Sequence, residues 1–197
     1  GILHFLQESG LRTRNTRWIW RCHIDSTDAQ PEAWSYIRPY LEPYNAAMFT
    51  LKQFVKRDLA GPRIWVIPPA IDPLSQKNVP ISQETVQEVL SRFNVDPLRP
   101  FMLQASRMDA WKDPLGVLEA YSRVKRRVPG VQLVFLVAIA DDDPEGWAYY
   151  DQAVEGAGGD SDVHILPNIL NGIGDLEINA FQTGAQVVVQ KSIREGF

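Results

Sequence analysis

The side chains best placed to do chemistry are two cations, a carboxylate and a histidine. Arg107 and Lys112 stand five positions apart (112 minus 107) in residues 106–112, SRMDAWK. With a turn between them, a planar guanidinium fork and a mobile ammonium can converge on one diphosphate. Two solvated loop cations would account for the same pair. Further on, Glu195, Gly196 and Phe197 follow an apolar run. A carboxylate there can hold sugar hydroxyls while the backbone N–H groups beside a glycine approach a phosphate. His23 and Asp25 close the largely apolar run that starts at Trp18. They are either a polar pair on one strand face or simply packed and solvated side chains.

The elements that must position these groups can be read around them. Residues 101–105 form an apolar run of strand length. Asp113 suits an N-cap and Pro114 a first helical residue, and Leu115, Leu118, Tyr121, Val124 and Val128 recur as one helical stripe expected to be buried. Lys125, Arg126 and Arg127 complement the negative end of that helix dipole, and Pro129 with Gly130 stops it. In a strand, loop, helix unit of this kind the loop lies at the carboxyl edge of the sheet, where open parallel sheets bind ligands.

The remaining pattern predicts a short buried element with Ile2, Leu3, Phe5 and Leu6, then strands over 18–25, 48–51 and 63–67 and a helix over 31–44. After Pro68, Pro69 and Pro73 it predicts helices over 82–93, 145–155 and 175–183 and strands over 131–140, 162–166 and 186–190. Strands alternating with helices indicate a doubly wound parallel sheet. The prolines interrupt any ladder and mark a boundary between residues 1–72 and 73–197. Gly156, Gly158 and Gly159 follow a helix rather than a strand, so they read as a helix stop and not as a dinucleotide fingerprint. A nicotinamide-dependent oxidoreductase therefore lacks its motif.

A chain of 197 residues with 45% hydrophobic content can bury a sizeable core. A net charge of −4 and a pI near 5.4 argue against nucleic acid or a membrane surface as partner, and the cluster Arg12, Arg14 and Arg17 reads as a solvated loop. The single cysteine, Cys22, makes no internal disulfide and offers no metal-site spacing, so a reduced cytoplasm is the expected location. The longest apolar stretch, residues 131–140, is about half of a membrane span.

Five stretches carry a family resemblance: residues 18–25 (WIWRCHID), 68–78 (PPAIDPLSQKN), 106–112 (SRMDAWK), 142–147 (DDPEGW) and 192–197 (SIREGF). Together they resemble the retaining glycosyltransferases of family four, which have two Rossmann-like domains, and within them the trehalose synthase group. The resemblance implies an α/β fold of GT-B type with two parallel sheets, each domain incomplete in this chain. Residues 1–72 would be the later part of an acceptor-side domain and residues 73–197 the earlier part of the nucleotide-sugar domain. It makes Arg107 and Lys112 the donor-phosphate clamp and Glu195 the first acid of a Glu-x7-Glu pair, with Gly196 and Phe197 beside the donor. The second acid would fall beyond Phe197. His23 would lie at the reacting sugars and Asp25 on the acceptor side, while the backbone at Ile165, Leu166 and Asn168 would read the nucleotide base.

The implied reaction moves glucose from a nucleoside-diphosphate glucose to glucose, with retention, to give trehalose. No cofactor or metal is required, because two cations and a helix amino end can stabilise the departing diphosphate. The implied partners are a nucleotide sugar and a sugar acceptor, with a homodimer also allowed, and UDP, ADP and GDP remain open as the donor's nucleotide. Two other readings stand beside this one. One is a sucrose-phosphate-synthase-like or other family-four transferase. The other is an inactive module that only binds a sugar nucleotide or a partner subunit.

Overall fold

The computed structural model describes residues 2–11 and 15–195. They divide into two compact units, the described residues up to Ile71 with Glu195, and Asp72–Arg194. Arg12 and Arg14 lie outside the described residues, as do Gly196 and Phe197.

The first unit contains helix α1 (Ile2–Glu8), strand β1 (Ile19–Arg21), helix α2 (Pro31–Leu41) and strands β2 (Ala46–Phe49) and β3 (Arg63–Val66). The three strands form a parallel sheet in the order β1-β2-β3. Its core gathers Cys22, Leu41, Ala47, Phe49, Phe54 and Leu59. Asp58 ties α2 to the chain before β3, accepting from Trp34 Nε1 at 3.0 Å and Arg38 Nη1 at 3.1 Å.

The second unit runs α3 (Gln83–Arg92), β4 (Phe101–Arg107), α4 (Pro114–Lys125), β5 (Gln132–Ala138), α5 (Pro144–Ala157), β6 (Val163–Pro167), the one-turn helix α6 (Asn168–Asn171), α7 (Asp175–Gly184) and β7 (Val187–Val188). All four strands are parallel, in the order β6-β5-β4-β7. Central strands covered on both faces must be apolar on both, and here the alternation of side chains divides them cleanly. Phe101, Leu103, Val134 and Leu136 face α3 and α7, while Met102, Leu133, Phe135 and Val137 face α4 and α5. Such a three-layer arrangement leaves the carboxyl edges of β4 and β5 as the place where loops converge.

Several expectations are corrected. The buried stripe of α4 is Pro114, Val117, Leu118 and Tyr121, whereas Leu115, Val124 and Val128 are each more than a third exposed. Counting i, i+3, i+4 and i+7 from the first helical proline gives the observed register, and Val128 lies past the last helical residue. The expected strand over 18–25 pairs only through Arg21, with Cys22 N donating once more to Met48 O at 2.9 Å. His23 and Asp25 therefore lie in a loop and not on one strand face. There Asp25 accepts from Thr27 N at 2.8 Å, a local turn that competes with the ladder. The strand over 48–51 shifts back to begin at Ala46, because Ala46 and Ala47 are themselves core residues. The last strand shortens to two residues, and α6, with no apolar period to announce it, was not expected.

Candidate functional site

The loop between β4 and α4 is built by three side chains. Gln104 is 3% exposed on a strand otherwise apolar at its centre, and its Nε2 donates to Lys112 O at 2.7 Å. Asp109 opens a 3-10 turn over Ala110–Lys112, its Oδ1 accepting from Lys112 N at 3.1 Å. Asp113 closes the turn and starts α4 with φ 47° and ψ 56°, a left-handed conformation that Asp tolerates better than most residues, and its side chain accepts from Gly116 N at 3.1 Å. The same carboxylate pairs with Lys191, which follows β7, and Ile193 N donates to Trp111 O at 2.7 Å. A Cβ at Gly116 would meet Asp113 Oδ2 and Lys191 Nζ, so a side chain there would displace the ends of this pair. The Lys191 hydrogen bond, helped by Gly116 N–H, holds the Asp113 carboxyl below its ordinary value against the burial that raises it.

Arg107 ends β4 with its side chain 69% exposed, and its Nη2 lies 2.9 Å from Asp109 Oδ2. The contact is close but not aligned as a hydrogen bond, which leaves Oδ2 of this buried carboxylate without a donor in hydrogen-bonding geometry. Asp109 thus restrains the guanidinium electrostatically while leaving its N–H fork open to another acceptor.

Arg107 also lines a cavity of about 350 Å³, within the range of small-ligand pockets. Its walls are the carboxyl ends of β4 and β5, with Asn168, Ile173, Ile178, Gln182 and Lys77. Asn168 is fixed there by accepting from Ile139 N at 3.1 Å. The structure therefore brings Arg107 and Asn168 to one cavity. Lys112, half-buried in the 3-10 turn, is not part of that wall. Ile165 and Leu166 lie earlier in β6, paired with Phe135 and Leu136, and Leu166 belongs to the core. Glu195 is half-buried and groups with the first unit, as do exposed His23 and half-buried Asp25.

Sequence reasoning missed Asp109, Gln104, Gln182 and Lys77. Asp109 and Gln104 carried one available signal, polar residues flanking a cationic loop. Lys77 stood only as one residue of the family stretch 68–78, with no role attached, and Gln182 carried no signal, since only the packing of α7 brings it to β4 and β5.

The sequence profile described as "Trehalose synthase, N-terminal domain" matches residues 2–56. A trehalose synthase from Rubrobacter xylanophilus is 48% identical over 189 residues, covering 96% of this chain and 45% of the relative. The chain belongs to the trehalose synthase family. Another member, from Thermococcus litoralis, is 43% identical over 180 residues, covering 91% of this chain and 43% of its own. The chain thus spans about half the length of the curated relatives it matches. Among solved structures, trehalose-6-phosphate synthase OtsA superposes with a TM-score of 0.70 at 18% identity, covering 100% of this chain and 50% of that one. At that identity the likeness concerns the fold, the GT-B arrangement of two parallel Rossmann-like sheets that the family resemblance implied.

Proposed function

We propose that this family member is a retaining glucosyltransferase that moves glucose from a nucleoside-diphosphate glucose to glucose, giving trehalose. The observation that carries the proposal is Arg107, held by a buried carboxylate at the wall of a cavity on the carboxyl edge of a parallel sheet. As the bond between the anomeric carbon and the diphosphate oxygen breaks, negative charge collects on the phosphate. A guanidinium already in place stabilises that charge without reorganising. Lys112 supplies the second charge, Asn168 and the adjoining β6 backbone at Ile165 and Leu166 receive the base, and Glu195, with Gly196 and Phe197, holds the donor sugar. His23 faces the reacting sugars and Asp25 the acceptor. In this reading residues 1–72 form the acceptor side and residues 73–197 the nucleotide-sugar side, and turnover needs no metal. A cytoplasmic location, expected from the single cysteine, and a homodimer accompany this reading. Among the described residues no helix is long and apolar enough to cross a membrane.

The test is product analysis with the full-length protein, nucleoside-diphosphate glucose and either glucose or fructose 6-phosphate, with and without chelator. Trehalose from glucose, undiminished by chelator, is expected. Product from fructose 6-phosphate alone would instead support the sucrose-phosphate-synthase-like reading, and no product from either would support a binding module.

A further inference from the structure

The cavity beside Arg107 has a second cation on its wall, supplied by neither the strands nor the helix-start loop. Lys77 comes from the segment between β3 and α3, which carries no strand or helix of its own. That segment is nevertheless tightly fixed. Asn78 Nδ2 donates to Asp72 O at 2.7 Å and Ser75 Oγ at 3.0 Å, and Val79 N donates to Ser75 O at 3.1 Å. Asn179 of α7, 5% exposed, then donates from Nδ2 to both Gln76 O and Val79 O at 2.7 Å, while its Oδ1 accepts from Thr183 Oγ1 at 3.1 Å.

A buried amide whose two N–H bonds go to Gln76 and Val79 fixes the backbone of the lysine between them. The ammonium itself lies 3.3 Å from Asp175 Oδ1, with the two side chains 44% and 52% exposed. A pair that exposed contributes little to stability, so it does not by itself account for a buried anchor beneath it. Asp175 is instead a partner that an incoming ligand can replace, and the lysine backbone is already ordered before the ligand arrives, which lowers the entropic cost of binding.

We propose that Lys77 is a further donor-binding residue, its ammonium contacting the nucleoside diphosphate in the cavity that Arg107 lines, with Asn179 as its positioning residue. This rests on the donor-site assignment above. Arg107 is suited to two phosphate oxygens at once, whereas the single ammonium of Lys77 can serve a phosphate oxygen or an acceptor on the nucleoside.

The test is calorimetric titration of UDP, ADP, GDP and inorganic pyrophosphate into the full-length protein and its variants. Lys77→Met is expected to weaken binding of the preferred nucleoside diphosphate about tenfold, the lower end for losing one charge-assisted hydrogen bond at a part-exposed site, without a change in melting temperature. Lys77→Arg should recover most of it. A parallel loss with pyrophosphate assigns the contact to phosphate, and a loss confined to the nucleotides assigns it to the nucleoside. Asp175→Asn should bind at least as tightly as wild type, since it only frees the ammonium. Asn179→Ala should weaken binding, and adding Lys77→Met to it should cost little more, because the two act as one unit. Wild-type affinity in Lys77→Met, measured beside an Arg107→Lys variant that does weaken, would overturn the proposal and leave the donor site standing. Wild-type affinity in both variants would overturn the donor site as well.

Discussion

Asp109 is nine-tenths buried and keeps its carboxylate 2.9 Å from Arg107, and the same residue caps the turn that carries Lys112. One side chain thus restrains one cation and shapes the loop of the other. The sequence showed the cations but not this link, because an acid two positions after an arginine has no meaning until a turn brings it back. Asp113 was readable because capping chemistry is local: its role depends only on the three residues that follow. At the amino end of β6, Asp162 shows how far ionic restraint reaches. Arg99 at 2.8 Å and Lys125 at 3.1 Å lower its carboxyl from 3.8 to about 2. A depressed carboxylate contributes stability that is present above the unfolded value and lost as pH falls through the folded one. Urea denaturation should therefore show wild type about 1 kcal/mol more stable than Asp162→Asn at pH 6, after allowance for solvent screening, with the gap closing between pH 3.8 and 2. A gap that persists at pH 2 would place its origin outside the ion pairs.

At the scale of elements, the unit from β4 through α4 was legible because every signal agreed: an apolar strand, a cap, a proline at the helix start and a glycine stop. Its stripe was right at Leu118 and Tyr121 and wrong at Leu115, Val124 and Val128, since Leu115 and Val117 are equally apolar and only packing against β5 and α5 chooses between them. β1 and β7 were overestimated for the opposite reason. Their apolar runs outlast the pairing, and exposed Val187 and Val188 look the same in sequence as buried valines. The helix start itself can be dissected. Asp113→Asn keeps a side chain that caps and tolerates φ 47° while losing the charge opposite Lys191, so it should cost about 0.5 kcal/mol. Asp113→Ala loses the cap and strains the backbone, and should cost about 2 kcal/mol by the same denaturation measurement. Equal losses would mean that the ion pair, and not the cap, holds this loop.

For the whole molecule, the two parallel sheets belong to separate compact units, with the proline-rich segment at the change from one to the other. The alternating pattern and the prolines carried that much in the sequence, as did the family, through short stretches whose residue types are specific. The cavity was not legible, because its wall joins residues from Lys77 to Gln182 that no local pattern connects. The central claim is that this cavity edge, with Arg107 and Lys112, grips the diphosphate of a nucleotide sugar. The most direct measurement is calorimetric titration of UDP-, ADP- and GDP-glucose into the full-length protein, its Arg107→Lys variant and its Lys112→Ala variant. Wild type should bind at least one of the three, and each variant should bind it about tenfold or more weakly with an unchanged melting temperature, since a point charge does not replace a fork and an alanine does not replace a charge. Variants that bind as wild type does, or a wild type that binds none of the three, would contradict it.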